Sequence, residues 1–284
     1  MDDITPYLRY LFRTARGSGR YARPLNPPSG RLRKGVVNRI LYYTGSFNPP
    51  HAGHLAALKY AVKHCGEDYN VVAIVVEMTH DESLEKKCRQ QPGTLLLPSL
   101  TRMMYWEKAL LQDEDLANKC WVVGGYDFCE WAAGFKDLVE GVTASSGFDV
   151  RVANLIGGDY IRPDWSSMYR LIGPSDFIVS NISRPVEIQD DQGWMITLAG
   201  CEPWEKISDD EEAGAVVWSC KKQVYQDYTI RFVGASEPMS PSPSSTAVQQ
   251  AIATSGPEEL EENLRRSGAL VHEILAMAIR NWNW

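Results

Sequence analysis

At 284 residues the chain is long enough for one large domain or two small ones, and 44% hydrophobic with 23% charged residues is the composition of an ordinary globular protein. The longest apolar run, residues 71–76, falls far short of the roughly 18–20 residues that span a bilayer. The Met-Asp-Asp start lacks the basic-then-apolar order of a secretory signal, so secreted, collagenous, membrane-spanning and wholly disordered classes are not expected. The net charge of −7 is unevenly held: residues 1–39 carry nine bases and two acids, the remainder 20 bases and 34 acids. That balance argues against a general nucleic-acid binder, and leaves the basic arm to contact phosphates, a membrane surface or the acidic body itself. Asp2 and Asp3 argue against reading the arm as a mitochondrial presequence. The six cysteines contain no C-x-x-C pair, so neither zinc nor thioredoxin chemistry is indicated, and reduced thiols in cytoplasm or nucleus are the expectation.

Along the chain, Ile4, Leu8, Leu11 and Phe12 recur at helical steps and predict a helix over 4–15. A Pro- and Gly-rich loop follows over 17–34, so that residues 1–34 read as an N-terminal helix and basic arm and 35–284 as the main domain. Residues 39–43 read as a strand, 52–65 as a helix, and 71–77 as a strand buried on both faces. A long loop is expected over 79–99, then a helix over 101–112, a strand over 121–123, a helix over 128–145, and strands over 150–156 and 176–180. This alternation argues an α/β fold, a Rossmann-like, doubly wound parallel sheet with flanking helices. Residues 186–227 read as a small antiparallel insertion, 228–233 as the last strand of the main sheet, and 244–254 and 258–284 as C-terminal helices.

The segment Thr44-Gly-Ser-Phe-Asn-Pro-Pro-His51-Ala-Gly-His54 carries the chemistry. It leaves a strand and opens a helix, the place where open parallel sheets bind ligands. Gly45 permits a tight turn whose amides approach phosphate. His51 and His54, three residues apart, share one face at the positive end of the helix, with Gly53 clearing space between them. Two capping or core histidines is the competing reading. No further His or Cys completes a zinc set, and the loop matches neither a Walker A sequence nor G-x-G-x-x-G.

These residues resemble the H-x-G-H signature of the nucleotidyltransferase superfamily, and the Gly-Ser-Phe-Asn-Pro opening is similar to nicotinamide (nicotinate) mononucleotide adenylyltransferases. Further similarities follow in order: Leu100-Thr-Arg102-Met103 resembles a His-Arg-x-x-Met helix start, Gly157-Gly158-Asp159 a Gly-x-Asp strand end, residues 177–184 a strand ending in Arg, and Ser244-Ser-Thr-Ala-Val-Gln249 a Ser-Ser-Thr-x-Ile-Arg helix start. The resemblance covers roughly residues 36–275. It implies attack of a mononucleotide phosphate on the α-phosphorus of ATP, yielding NAD or its deamido form and pyrophosphate, with Mg²⁺ held mainly by the phosphates and water. ATP and a mononucleotide are then the partners, no nucleic acid or membrane is implied, and a homo-oligomer is left open. Because the attacking oxygen is already anionic, catalysis reduces to positioning and charge stabilisation.

By the same resemblance, His54 contacts the α-phosphate and His51 neighbouring oxygens. The backbone of Gly45, Ser46 and Phe47 receives phosphate, and Asp159 takes ribose hydroxyls with Gly157 clearing space; a plain turn residue is the alternative for Asp159. Ser244, Ser245 and Thr246 face the β/γ-phosphates or simply cap the helix. Lys86 or Lys87, with Lys87 preferred, reaches phosphate or forms a solvated pair. Phe128 and Trp131, which could equally be core, and Arg184 are expected at the acceptor. Gln249 stands where the family has Arg and is expected to face the triphosphate with neutral donors only. The stretch after Asp159 lacks the family's Pro-x-Leu-Trp element, although Trp165 lies nearby. These departures keep two alternatives in view: transfer involving CTP or another acceptor, and a nucleotide-binding protein without turnover.

Overall fold

The structure, a computed structural model, describes residues 3–14, 21–24, 30–89, 93–126, 128–164, 174–190, 192–210 and 212–281, without the side chains of 12–14, 21–24, 125, 126 and 128–133. Nine strands form one sheet: β1 (Tyr21–Pro24), β2 (Val37–Gly45), β3 (Asn70–Thr79), β4 (Cys120–Tyr126), β5 (Asp149–Gly157), β6 (Asp176–Ser180), β7 (Glu205–Asp210), β8 (Ala215–Lys221) and β9 (Thr229–Ala235). Their order is β1-β4-β3-β2-β5-β6-β9-β8-β7. The inner six, β4-β3-β2-β5-β6-β9, are parallel and reproduce the doubly wound arrangement with its reversal between β2 and β5. The fold class expected from the sequence is the one observed.

Helices cover both faces. These are α1 (Thr5–Thr14), α2 (Ala52–His64), α3 (Asp81–Cys88), α4 (Ser99–Leu110), α5 (Glu114–Ala117), α6 (Phe128–Ala144), α7 (Ser245–Thr254), α8 (Leu260–Arg266) and α9 (His272–Asn281). Alternation along β2 shows why the central strands read as continuous apolar runs: Leu41 and Tyr43 pack with Leu58 of α2 and Trp106 of α4, while Ile40 and Tyr42 pack with Ile4, Leu8 and Leu11 of α1 and Phe135 of α6. The first helix is therefore a docked element: Ile4 just before it and Leu8 and Leu11 on it are buried, while the side chain of Phe12 lies outside the described residues.

Two elements differ from expectation. Residues 81–88, expected within a loop, form α3: Asp81 and Glu82 occupy its first turn and Lys86 and Lys87 its last, which complements the helix dipole although only Leu84 is buried. The supposed loop over 17–34 contains β1, paired antiparallel with β4. The antiparallel strands expected in the insertion are β7 and β8, which continue the main sheet beyond β9, over a core containing Phe177, Ile188, Leu198 and Phe232. The Pro- and Ser-rich stretch before α7 is anchored, its Met239 N–H donating to Ile182 O at 2.8 Å and Ser242 Oγ to Ser183 O. Among the described residues no helix is long and apolar enough to cross a membrane.

Candidate active site

The loop leaving β2 and the turn leaving β5 emerge on either side of the sheet's reversal point. Phe47 adopts a left-handed backbone (φ 44°), an uncommon conformation for an aromatic residue that persists only when surroundings fix it. Here its ring is gripped edge-on by Tyr43, Trp106 and His54, at centroid distances of 5.1, 5.0 and 4.9 Å. The loop is thus shaped by burying Phe47 beneath it, which leaves its peptide groups on the site side of the strand end.

His51 precedes the first turn of α2 and His54 lies in it; their rings stack at 3.6 Å, inclined by 26°. The His51 N–H donates to His54 Nδ1 at 3.3 Å, so a neutral His54 carries its proton on Nε2. His51 is 1% exposed, and both its ring nitrogens are buried without a hydrogen-bond partner. Burial, followed by the Arg184 charge, pushes the His51 pKa down to about 3. Burial first, then His51, Arg184 and Lys87, holds His54 well below the usual imidazole range. Both rings are neutral near pH 7, and the His51 nitrogens lack the partners that buried polar atoms normally have. An added Cβ at Gly53 would meet His51 Nδ1 and Pro243 O, each at 3.1 Å.

That Pro243 contact brings α7 beside α2. Ser244 caps α7, its Oγ accepting from Ala247 N–H at 3.1 Å, while Ser245 Oγ donates to Pro49 O at 3.2 Å and Thr246 is exposed. The capping role is therefore real for Ser244, and its hydroxyl proton is still available to a ligand. Two helix N-termini lie together, which concentrates positive potential, although the Ala52 and His54 N–H groups bond Gly268 O and His51 O and the Ala247 N–H bonds Ser244 Oγ. From α3, Lys87 Nζ donates to Ser46 Oγ at 3.2 Å.

Across the reversal point, Asp159 pairs with Arg184 at 2.9 Å, both partly exposed. A Cβ at Gly157 would lie 2.7 Å from Asp159 Oδ1, so glycine lets that carboxylate fold back over the strand end. Arg184, Asn181, Ser183, Val186, Met239 and Ser242 line a cleft of about 360 Å³ beyond β6. Arg184 lies on the Asp159 side, and its charge is near enough to both histidines to help lower their pKa values.

Two residues bear on the loop in ways the sequence did not disclose. Arg102, 0% exposed, donates to Leu97 O, Ser46 O, Thr79 O and Asp81 Oδ1 at 2.9, 2.6, 2.8 and 2.5 Å, tying the ends of β2 and β3 to the start of α4. Asn48 bonds the Leu95 carbonyl and the Leu97 amide. A lone arginine inside the apolar run Leu-Thr-Arg-Met-Met-Tyr-Trp was the available signal. Gln249 corrects the expectation placed on it: both ends of its amide are taken by backbone groups of Leu95 and Asn48. The side chains of Phe128 and Trp131, and all of Trp165, lie outside the described residues. Among the described residues the group able to hold a metal is Glu261, His272 and Glu273, on or next to α8 and α9, and none of these was expected at the phosphates.

Comparison with known proteins agrees with this geometry. No match was found among curated proteins. The family described as cytidylyltransferase-like matches residues 42–209, from within β2 through the His51–His54 turn and Asp159 into β7; α7 lies beyond the matched segment. With over half of its length matched, the chain belongs to the cytidylyltransferase-like family, whose membership supports nucleotidyltransferase activity.

Proposed function

We propose that this protein transfers the adenylyl group of ATP to nicotinamide or nicotinate mononucleotide, releasing pyrophosphate. The observation that carries the reading is the meeting of two helix N-termini at a pair of neutral, stacked imidazoles, one with both ring nitrogens buried and unpaired. The unpaired His51 nitrogens, the His54 Nε2–H, the Lys87 side chain and the positive ends of two helices together complement a polyphosphate. The Gly45–Asn48 sequence, by its similarity to the mononucleotide adenylyltransferases, narrows the acceptor.

In this reading the acceptor phosphate attacks the α-phosphorus, the bond to the β-phosphate oxygen breaks, and pyrophosphate departs with the electron pair. His54 Nε2–H donates to an α-phosphate oxygen and His51 to a neighbouring one. Lys87 and the first turns of α2 and α7 hold the leaving group, and the cleft of about 360 Å³ takes the base of ATP. Asp159 reaches the ribose hydroxyls while Arg184, its partner at 2.9 Å, turns to phosphate. Mg²⁺ would arrive with the triphosphate, held mainly by its oxygens and water, and would offset the phosphate charge.

Pyrophosphate release with Mg²⁺ and either ATP or CTP, across a panel of mononucleotides, tests the proposal. Release that requires ATP and a pyridine mononucleotide supports it. Release with CTP, or with another acceptor, replaces the substrate. Tight ATP binding without release with any acceptor refutes the enzymatic reading.

A further inference from the structure

The resemblance places a charged fork where this chain has Gln249, yet the amide is engaged in a specific way. Its Oε1 accepts the Leu95 N–H at 2.9 Å, while Nε2 donates to Leu95 O at 2.9 Å and Asn48 O at 3.2 Å. Asn48 holds the same segment from the other side, donating to Leu95 O at 2.7 Å and accepting from Leu97 N–H at 2.9 Å. Arg102 completes the tie through Leu97 O and Ser46 O. Leu95 and Leu97, 4% and 1% exposed, are sunk into a core with Tyr105 and Val248, the latter on α7.

Leu95 presents a donor and an acceptor together to position 249. An amide answers both. A guanidinium has only donors and would leave the Leu95 N–H unpaired, whereas a carboxylate keeps that bond and gives up only the donated ones, Leu95 O still receiving Asn48 Nδ2–H. Replacing arginine by glutamine at this place therefore does more than remove charge: it exchanges a potential phosphate ligand for a strap between α7 and the loop after β2. We propose that Gln249 is a positioning residue, which by bonding the Leu95 peptide holds the N-terminus of α7 in register with that of α2 so that both address one anion. The proposal rests on the phosphate-site reading above but not on turnover.

The test compares wild type with Gln249→Arg, Gln249→Glu and Gln249→Met. Amide exchange at Leu95 and Leu97, calorimetric binding of inorganic pyrophosphate, and steady-state kinetics are measured on each. Gln249→Met is expected to speed exchange at Leu95 roughly five- to ten-fold, the effect of losing one ordinary hydrogen bond, and to weaken pyrophosphate by a similar factor. Gln249→Glu keeps the acceptor and so retains Leu95 protection, which guards against general unfolding as the cause. Gln249→Arg is expected to bind pyrophosphate no more tightly than wild type despite its added charge. Where turnover is present, kcat/KM for ATP falls about ten-fold in Gln249→Met and is retained in Gln249→Glu, because the same helix ends hold the β- and γ-phosphates of ATP before and during transfer. A Gln249→Arg protein that binds pyrophosphate ten-fold more tightly with Leu95 protection unchanged overturns the proposal. So does a Gln249→Met protein with normal pyrophosphate affinity and lost protection, since the strap would then position nothing. Absence of turnover in wild type refutes the enzymatic reading alone, and the exchange and pyrophosphate measurements still decide this one.

Discussion

Replacing His51 by Gln makes the state of the imidazole pair measurable as stability. His51 is buried and unpaired, with a pKa of about 3 against 6.5 in an ordinary environment. The folded protein therefore holds this ring neutral under conditions in which the unfolded chain protonates it. The folded pKa is the lower one, so the associated stability is present above the unfolded value of 6.5 and is lost as pH falls toward 3. At about pH 5 the unfolded state gains about 2 kcal/mol from this one protonation relative to neutral pH. That figure depends almost entirely on the unfolded pKa, provided the folded one lies well below 5. Glutamine is uncharged at both pH values and lacks the term. Denaturant unfolding of wild type and His51→Gln at about pH 7.5 and about pH 5 gives four free energies, and their double difference cancels every titrating group that does not interact with His51, leaving His51 and its effect on the stacked His54. Wild type should lose about 2 kcal/mol more than the variant on acidification. Parallel losses in the two proteins would refute the reasoning, by showing that the ring is protonated or reached by water in the folded state.

Other perturbations test other links. His54→Ala should lower kcat by about 10²–10³ through loss of one donor to developing charge, measured by pyrophosphate release; near-normal kcat removes His54 from the chemistry. In Gly157→Ala the new methyl must displace the Asp159 carboxylate, 2.7 Å from its position, so KM for ATP should rise with kcat little changed, and an unchanged KM makes Asp159 a turn residue. Leu8→Ala, at a position 0% exposed in the core shared by α1 and α6, should cost about 2–5 kcal/mol in denaturant unfolding, whereas a cost below about 0.5 kcal/mol, the scale of a surface substitution, would mean α1 is not docked.

The parallel sheet was legible because β2 and β3 are covered on both faces and carry the apolar runs 40–43 and 71–76, while β5, interrupted by Arg151 and Asn154, is still largely apolar, and helix-length segments separate the three. Elements held by other means were harder to see. α3 buries only Leu84 and is set by capping and charge order, signals that the sequence Asp81-Glu-Ser-Leu-Glu-Lys-Lys displays but that apolar periodicity ignores. β1 is four residues long and has meaning only beside β4, about 100 residues later. At the site, the strand-loop-helix sequence located the histidines and both glycines, since these obey local backbone rules. The Asp159–Arg184 pair and the Arg102 tie join segments distant in sequence. Gln249 was misjudged because a motif position specifies where a side chain starts and says nothing of the peptide that captures it.

The placement of α1 also dictates an order of events during synthesis. The helix is complete by Thr14, but its helical neighbour α6 begins at Phe128, and Phe135 and Val139 of the shared core lie beyond that. At roughly 5–20 residues per second the ribosome needs on the order of 10 s to supply those partners. Throughout that interval the nascent chain displays a short, basic, amphipathic segment that has β2 and β3 to pack against but lacks the Phe135 and Val139 that complete its cover. The same stripe that stabilises the finished domain is, for the growing polypeptide, a surface that holdase chaperones bind and that neighbouring nascent chains on a polysome can capture. Moving that segment behind the C-terminus by circular permutation would remove the wait, and the yield of folded protein at low chaperone levels would rise accordingly.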